Sequence, residues 1–488
     1  MALADACGVH DAPRETACAQ LMQRLAAAQV DQVRVGWCDL HGTLRGKTLM
    51  PAAVPGALRD GVGMVSTLLL KDTSDRTAFK VFEAATQAEL PGYGFAANLL
   101  LLPDPDSLVL LPWAPGTAWL RAQPWHADGT PVAADPRRAL QQALQQLAAA
   151  GYALHCGLEV EFHIYRIVDE RLDPEAAAWP GEPPRVQLLH PGYNLLSEAW
   201  ADRAHDALAI VRRTAQGLGL PLRSLEIELG PSQFEAVFDP CDALTAADRM
   251  VLFRNGVKQA LRRAGYHATF MCRPPFEQIM SSGWHLHQSL LRLADGGNAF
   301  MRDEGQGGAG DARQVLSDVG AQWLAGLLAH AGAAAVFGCS TVNAFGRFRP
   351  NALAPMAALW GRDNRGALLR VLGAPGDGAT RIENRIGEPM ANPYLYLASQ
   401  VHAGLDGLRR GLQPPPSTES PYADSGAPAL PASLDAALDA LEGSPVLMQA
   451  FGPELLRVLL RIKRSEALRH AQAEDSREWQ RREYFDRY

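Results

Sequence analysis

The stretch "GWHLHQSLL", residues 283–291, places His285, His287 and Ser289 at alternate positions of a short apolar run. Alternate residues of a β-strand point to the same face of a sheet, so a strand here would carry one polar row backed by apolar side chains. Such a row fits a strand whose polar face is half-exposed to water. It also fits a metal site, provided that other parts of the chain supply partners for the imidazoles. The rest of the sequence has to decide between these two interpretations.

Carboxylates on other strand-like stretches supply such partners. They are Glu159 and Glu161 in "GLEVEFHIY", Glu226, Glu228 and Glu235 in "LEIELGPSQFEAVF", and Glu383 in "RIENRIGEPMANPY". Acidic residues on strands with an otherwise buried pattern are costly unless a cation or hydrogen bonds compensate for their charge. Each stretch alone fits a solvated strand face, but together they favour one shared cation site. Many carboxylates and few histidines suit Mg²⁺ or Mn²⁺ better than zinc.

Arginines are the third element of the pattern. They are Arg347, Arg349, Arg362, Arg365, Arg370, Arg381 and Arg385. Arginine binds carboxylate and phosphate oxygens through paired hydrogen bonds. Carboxylates, histidines, a divalent metal and arginines together are what phosphoryl transfer from ATP requires, because the cations neutralise charge on the transferred group. The sequence contains no Gly-x4-Gly-Lys-Ser/Thr loop, so a P-loop enzyme is not expected.

Length and composition exclude several classes of protein. A chain of 488 residues with 47% apolar and 20% charged residues is expected to form two or three globular domains. Its net charge of −7 argues against nucleic acid as a main partner. The seven cysteines include no Cys-x-x-Cys pair, so neither a disulfide framework nor a cysteine zinc site is expected. With no basic region before an apolar run at the N-terminus, and no apolar segment near the roughly 20 residues of a membrane span, we expect a cytoplasmic protein without a signal peptide or membrane contact.

The order of strand and helix patterns suggests two units. Residues 30–50 alternate apolar and polar side chains and turn at His41-Gly42, which predicts a strand hairpin, and further strand patterns follow in residues 98–113. A helix is predicted after Asp135, which is placed to cap its N-terminus. We therefore predict a mostly β unit over residues 1–130 and a larger unit of helices and strands over residues 131–488, closed by a helical tail.

Several of these stretches resemble the glutamine synthetase family. "DLHGTLRGKTL", "GLEVEF", "ELGPSQFE", "SSGWHLHQSL", "NRGALLR" and "RIENRIGEPMANPYLYLASQ" follow one another in that family's order and with similar spacing. The resemblance implies an α+β fold, with an N-terminal β-grasp domain followed by a catalytic domain built on a curved antiparallel sheet with helices. It also implies a homo-oligomer of stacked rings in which neighbouring subunits share each active site.

The resemblance implies a role for the carboxylates and histidines. In the family, three glutamates bind one metal ion, and two glutamates with a histidine bind a second. The matching positions are Glu161, Glu228 and Glu235 for the first ion, and Glu159, His285 and Glu383 for the second; these six residues are called the acidic cluster below. Two to three Mg²⁺ or Mn²⁺ ions per site are therefore expected, and Glu226 matches no ligand.

The resemblance also implies positions for ATP and glutamate. His287 and Ser289 would face the nucleotide and its phosphates, and Arg370 and Arg381 match ATP-binding positions. Arg365 matches an arginine that steadies the transferred phosphate, and Arg347 and Arg385 match arginines that hold glutamate. In the implied chemistry, ATP phosphorylates the side-chain carboxylate of glutamate, and an amine then displaces phosphate from γ-glutamyl phosphate to form an amide.

The chain departs from the family pattern where the amine should bind. A glutamate that attracts and deprotonates ammonium is replaced by Leu353, which can do neither. Asp72 is a looser match to an ammonium-binding aspartate. Met280 and Ser281 replace an Asn-Gly pair near the glutamate amino group, and Arg273 stands where lysine is common. The site is thus predicted to be more apolar and less acidic on the amine side.

Three functions remain compatible with these features. The favoured one is an ATP-dependent ligase that joins the γ-carboxylate of glutamate to an organic amine, with aryl or alkyl amines preferred, in amine catabolism. The second is a glutamine synthetase that uses ammonia. The third is a catalytically inactive family member with a binding or regulatory role.

Overall fold

The computed structural model describes residues 1–305, 311–350, 352–423 and 426–488. Its strands are Gln32–Cys38 (β1), Leu44–Leu49 (β2), Val62–Val65 (β3), Asn98–Pro103 (β4), Val109–Leu110 (β5), Thr117–Trp125 (β6), Tyr152–Asp169 (β7), Arg185–Leu188 (β8), Leu222–Ile227 (β9), Gln233–Phe238 (β10), Cys241–Asp242 (β11), Tyr266–Thr269 (β12), Trp284–Arg292 (β13), Trp360–Arg362 (β14), Leu369–Leu372 (β15) and Arg381–Gly387 (β16).

The helices lie mostly in the second half of the chain. They are Leu3–Ala6 (α1), Ala12–Ala27 (α2), Val54–Asp60 (α3), Ala84–Glu89 (α4), Pro136–Ala149 (α5), Glu198–Arg203 (α6), His205–Gly217 (α7), Ala243–Arg263 (α8), Asp318–Ala329 (α9), Ala331–Gly338 (α10), Pro393–Arg410 (α11), Leu434–Glu442 (α12), Pro445–Phe451 (α13), Pro453–Ala471 (α14) and Ser476–Tyr484 (α15). The predicted α+β fold class is confirmed.

The first sheet contains β1 to β6 in the order β2-β1-β6-β4-β3, with β5 also paired to β6. Its β1–β2 hairpin is the one predicted from the sequence. The turn is fixed by Asp39, whose Oδ1 accepts hydrogen bonds from the backbone N–H groups of His41 and Thr43. Gly42 has φ of 77°, a left-handed conformation that glycine adopts without steric cost. Strands β1 and β6 are parallel, and the other pairs are antiparallel.

The second sheet has ten strands, with the central order β14-β15-β16-β13-β7-β10-β9. The 18-residue strand β7 is the central strand of this sheet, because β8, β11 and β12 pair with it in addition to β10 and β13. All pairs in this sheet are antiparallel except β14–β15. Strands β10 and β13 therefore lie on opposite sides of β7.

The helix predicted after Asp135 is α5. The Asp135 side chain accepts a hydrogen bond from the backbone N–H of Arg137, and Pro136 occupies the first helical position, where no N–H is needed. The predicted boundary near residue 130 falls between β6 and α5 and stays a prediction. One cluster of buried apolar side chains includes Val35 of the first sheet and Val160 of the second, so the two sheets share a core.

Helices α9 and α11 pack closely because each has a glycine at the contact. A Cβ on Gly326 would lie 2.2 Å from the Ala403 carbonyl oxygen, and one on Gly407 would lie 2.2 Å from that of Gln322. Within the described residues, no single helix is long and apolar enough to cross a membrane. The consecutive helices α9 and α10 meet that test only as a pair, and they are bent by 79° at their junction.

Candidate active site

Strand register alone brings most of the acidic cluster together. His285 on β13 lies opposite Glu159 on β7, and Glu235 on β10 lies opposite Glu161 on β7. On the other edge of β13, His287 lies opposite Glu383 on β16. Directly opposed side chains in antiparallel strands share one face, with Cβ atoms about 5 Å apart. The polar row of "GWHLHQSLL" thus lies between two rows of carboxylates, and the interpretation as a water-exposed strand is wrong because β13 is buried here.

The imidazoles and carboxylates lie close enough to one another to bind the same cation. His285 Nδ1 is 3.6 Å from Glu159 Oε2 and 3.9 Å from Glu383 Oε1, and His285 Nε2 is 3.8 Å from Glu161 Oε1. Three groups have ligand atoms that all lie within 4.8 Å of one another: Glu161 with Glu228 and Glu235, Glu159 with Glu235 and His285, and Glu159 with His287 and Glu383. The first is the predicted set for the first metal ion. The other two groups divide the predicted second set between them and bring in Glu235 and His287.

Burial among like charges sets the protonation of these groups. Burial and the neighbouring Glu228 raise the pKa of Glu161 to about 8, and burial and Glu161 raise the pKa of Glu235 to about 10. Burial also raises the pKa of Glu228. Burial and the nearby Arg385 lower the pKa of His285 to about 4, so its imidazole is neutral and can bind a metal at neutral pH. Divalent cations fit this cluster, because they would remove the repulsion that makes these carboxylates hard to ionise.

Glu383 differs from the other carboxylates because two arginines hold it. Its side chain is 0% exposed, its Oε2 lies 2.9 Å from Arg370 Nη1, and its Oε1 contacts Arg385 Nη1. Burial opposes the ionisation of Glu383, but His285 and Arg385 keep its pKa below the usual value. Glu383 is therefore a carboxylate at neutral pH and fixes both arginines beside the cluster.

Arg347 is held by the backbone at the end of β16. Its guanidinium donates to the carbonyl oxygens of Arg385, Ile386 and Gly387 at distances of 2.7–2.9 Å. A guanidinium carries five N–H groups, so these bonds leave others for a substrate carboxylate. This contact was not foreseen from the sequence, because it depends on how two distant segments meet.

A cavity of about 420 Å³ opens beside the cluster between β7, β10 and β13. Three residues predicted to contact ATP line it, namely His287, Ser289 and Arg381, together with Glu159. Arg381 Nε donates a hydrogen bond of 3.0 Å to His287 Nδ1, which orients the imidazole. Further polar residues that were not predicted from the sequence also line this cavity: His155, Arg223, Asn298 and Thr380. Arg370 does not line this cavity and instead binds Glu383 and Asp363.

The sequence profile of the glutamine synthetase catalytic domain matches residues 133–484. The chain belongs to the glutamine synthetase family. It is 37% identical over 484 residues to the gamma-glutamylanilide synthase of an Acinetobacter species, and the aligned region covers 96% of this chain and 95% of that protein. It is 32% identical over 442 residues to the gamma-glutamylethanolamide synthetase GlnA4 of Streptomyces coelicolor, with 90% and 89% covered. A solved GmaS/ADP complex superposes with a TM-score of 0.75 at 28% identity and covers 95% of this chain and 98% of that one.

Leu353 occupies the amine-side position that the glutamine synthetase resemblance singles out. Its side chain is 57% exposed, and its backbone has φ of 53°, in the left-handed region that leucine rarely adopts. The Leu353 carbonyl oxygen lies 3.5 Å from Arg385 Nη2. The Tyr422 hydroxyl donates to the carbonyl of the next residue, Ala354. An apolar side chain is thus presented to solvent close to an arginine that contacts the acidic cluster.

Two predicted site residues of this family member are not at the cluster. Arg365 is exposed and lines a separate cavity of about 570 Å³, to which none of the acidic cluster contributes. Asp72 is 1% exposed; its Oδ2 lies 3.0 Å from Arg469 Nε, and its Oδ1 accepts from the backbone N–H groups of Ser74 and Arg76. The occupied carboxylate of Asp72 favours a role in folding, whereas its role in amine binding stays a prediction.

Two of the family departures lie beside the cluster. Arg273 Nη1 donates to Ser281 Oγ at 3.2 Å, and burial and the neighbouring Arg349 lower the pKa of Arg273. Met280 packs within 4 Å of where a Cβ on Gly230 would lie. Glu226, which matches no ligand, accepts a hydrogen bond of 2.8 Å from Ser224 Oγ. Arg273 and Ser281, two positions at which the chain departs from the family pattern, therefore contact each other before β13.

Proposed function

We propose that the protein is a γ-glutamylamide synthetase that joins the γ-carboxylate of glutamate to an organic amine at the expense of ATP, with γ-glutamyl phosphate as the intermediate. Aryl or alkyl amines are the favoured substrates, and amine catabolism is the favoured context. Relatives named for anilide and ethanolamide synthesis support an organic amine. Ammonia is less favoured, although glutamine synthetases are also similar, such as that of Pyrococcus furiosus at 31% identity.

The observation that carries this proposal is the apolar side chain of Leu353. Ammonium is a small cation at neutral pH, so it needs a carboxylate to attract it and to take its proton. A larger amine can be held by its apolar body instead, with its nitrogen placed by burial. An aromatic amine is already neutral at pH 7, so the missing carboxylate costs it nothing.

The acidic cluster is the proposed site for Mg²⁺ or Mn²⁺, two to three ions per site. Glu161, Glu228 and Glu235 would hold one ion, and Glu159, His285 and Glu383 a second. Bound divalent ions neutralise phosphate charge, which lets two anions approach each other. The clustered carboxylates with raised pKa values support this assignment, because burial and mutual repulsion outweigh the nearby arginines and a bound cation would offset both.

The cavity beside the cluster is the proposed nucleotide site. His287, Ser289 and Arg381 would contact ATP there. Arg370 does not line the cavity and would act on the nucleotide site through Glu383, to which it donates a hydrogen bond. The similar GmaS structure was solved with ADP, which agrees with nucleotide use in this fold. Arg347 and Arg385 would hold the glutamate carboxylate groups through their remaining N–H donors.

The reaction proceeds in two displacements. A γ-carboxylate oxygen of glutamate attacks the γ-phosphorus of ATP, and ADP leaves. The amine nitrogen then attacks the carbonyl carbon of the acyl phosphate, phosphate leaves, and the nitrogen loses a proton. Arg365 is proposed to steady the transferred phosphate, which requires its loop to turn toward the cluster. Water has to be excluded, because it would hydrolyse the acyl phosphate.

Two alternative functions are tested by the same assay, and the proposal also includes a cytoplasmic location and a homo-oligomer. The alternatives are a glutamine synthetase using ammonia and an inactive member with a binding or regulatory role. A homo-oligomer of stacked rings with shared active sites is proposed from the family resemblance. In such a ring, a neighbouring subunit would complete the amine pocket.

The test is phosphate release with ATP, Mg²⁺, glutamate and one amine at a time: ammonia, putrescine, ethanolamine, isopropylamine or aniline. We expect kcat/KM for the best organic amine to exceed that for ammonia by at least about tenfold, equivalent to ~1.4 kcal/mol. Reactions without glutamate or without amine are the controls. A preference for ammonia over every organic amine would support the ordinary glutamine synthetase, and no activity with any amine would support the inactive member.

A further inference from the structure

One buried amide side chain connects the segments that carry the proposed ligands of the first metal ion. Gln233 lies on β10, two residues before Glu235, and is 2% exposed. Its Oε1 accepts a hydrogen bond of 2.9 Å from the backbone N–H of Gly230, in the turn that follows Glu228. Its Nε2 donates to Glu161 Oε2 on β7 at 3.1 Å. Gln233 thus contacts or neighbours all three carboxylate-bearing segments.

The same amide also reaches the segment that leads into β13. Gln233 Nε2 lies 3.2 Å from the Ser281 carbonyl oxygen and 3.1 Å from Ser282 Oγ. Ser282 is itself anchored, because its backbone N–H donates to the Cys272 carbonyl at 2.7 Å and its Oγ lies 3.3 Å from His163 Nδ1. Gln233 therefore rests on a rigid support and can hold Glu161 in place.

These contacts distinguish the two oxygens of Glu161. Its Oε2 accepts from Gln233 Nε2 at 3.1 Å and from the backbone N–H of Gly283 at 2.9 Å. Its Oε1 accepts no hydrogen bond from the described residues and lies 3.8 Å from His285 Nε2. The geometry leaves Oε1 as the oxygen that can bind a cation.

An amide suits this position better than any charged group. It offers a donor to Glu161 and an acceptor to Gly230 at once, without adding charge. A carboxylate here could not donate, and it would add a further negative charge to a cluster whose carboxylates already repel one another.

We infer that Gln233 is a positioning residue that sets the spacing of Glu161, Glu228 and Glu235 and thereby the affinity of the first metal site. This inference rests on the proposed metal binding, but not on the identity of the amine. Removing the amide leaves all three carboxylates in the chain but takes away one of the two donors to Glu161 Oε2, so that only the Gly283 N–H still orients this carboxylate.

The experiment measures Mn²⁺ binding to the full-length protein by electron paramagnetic resonance, without ATP, glutamate or amine. Gln233→Met keeps the length of the side chain and removes both polar groups. We expect its tightest Mn²⁺ dissociation constant to rise at least about tenfold, while circular dichroism and the Tm of the metal-free protein stay close to those of wild type. Gln123→Met, on β6 of the first sheet, is the matched control and should bind Mn²⁺ like wild type.

Gly230→Ala tests the same contact from the other side. Its Cβ would lie 2.5 Å from Gln233 Oε1 and 2.8 Å from Met280 Cβ, so the amide and Met280 have to move although every carboxylate is retained. We expect the same loss of Mn²⁺ affinity, and this variant decides the question if Gln233→Met does not fold.

Wild-type Mn²⁺ affinity in either folded variant would overturn the role of Gln233. Wild-type protein that binds no Mn²⁺ would overturn the metal site itself. Wild-type protein that binds Mn²⁺ but makes no amide would overturn only the proposed function, so the failures are distinguishable.

Discussion

Substitution of Glu383 by glutamine separates the metal-site assignment from simple packing. Glu383 is 0% exposed and pairs with Arg370 and Arg385 while facing His285. Glutamine keeps the shape and one acceptor oxygen but loses the negative charge. Alanine is a poorer choice, because it would leave a cavity as well as two arginines without their shared carboxylate.

The expected loss of stability follows from the two arginines. Arg370 keeps its contact with Asp363, whose side chain is 70% exposed, so that pair contributes little. The Arg385 guanidinium keeps its long contact to the Leu353 carbonyl and has to share the one retained amide oxygen with Arg370. Removing one partner of a buried ion pair costs about 3–5 kcal/mol, and the retained amide oxygen places Glu383→Gln near ~3 kcal/mol. The loss of a metal ligand should in addition lower kcat/KM at least ~100-fold, equivalent to ~2.7 kcal/mol.

Urea unfolding and steady-state kinetics at saturating Mg²⁺ measure the two effects. Glu226→Gln is the matched control on β9, because a glutamine oxygen can keep the hydrogen bond from Ser224. We expect the control to cost less than ~1 kcal/mol and to stay within ~tenfold of wild-type activity. Near-normal turnover of Glu383→Gln at saturating Mg²⁺ would refute the assignment of Glu383 as a metal ligand, whatever its stability.

Three further predictions follow from other parts of the structure. Leu353→Glu should raise the ratio of kcat/KM for ammonia to that for aniline, and an unchanged ratio would refute the specificity role of Leu353. Asp72→Asn should lower the urea stability by only about 1 kcal/mol, because Arg469 loses Asp72 but keeps its pair with Glu483, whereas a raised KM for the amine would support amine binding. Burial raises the pKa of Glu388 from 4.5 to about 7, so the folded state holds this proton more tightly than the unfolded state does. This contribution to stability is full below pH 4.5 and is lost as the pH rises through 7. In urea titrations, Glu388→Gln should therefore become more stable relative to wild type as the pH rises across that range. Parallel curves of unfolding free energy against pH for the two proteins would contradict the raised pKa.

Local patterns in the sequence were enough to predict several elements. The alternation around His41-Gly42 predicted the first hairpin, and Asp135 with Pro136 predicted the start of α5, because turn and capping preferences depend on neighbouring residues only. The alternation in "GWHLHQSLL" placed His285, His287 and Ser289 on one strand face. The family motifs predicted the fold class in more detail than the periodicity of apolar residues did.

Residues whose role depends on distant partners were less predictable. Gln233 lies in the family motif "ELGPSQFE", yet its sequence neighbours do not indicate that its amide contacts Glu161 on another strand. Asp72 matched an amine-binding position, but its carboxylate is taken by Arg469, almost four hundred positions away in the chain. Arg365 matched a phosphate-binding position, but its loop faces another cavity.

The sequence by itself determined which side chains share a strand face, because the side-chain period of a strand is a local property. Only the tertiary structure decided which faces meet. The register of β10 and β13 against β7 places Glu235 opposite Glu161 and His285 opposite Glu159, and a shift by one residue would turn each row to the other face. That register is set by the apolar side chains packed behind the strands, such as Phe162, whose contacts come from the whole core and not from neighbours in the chain.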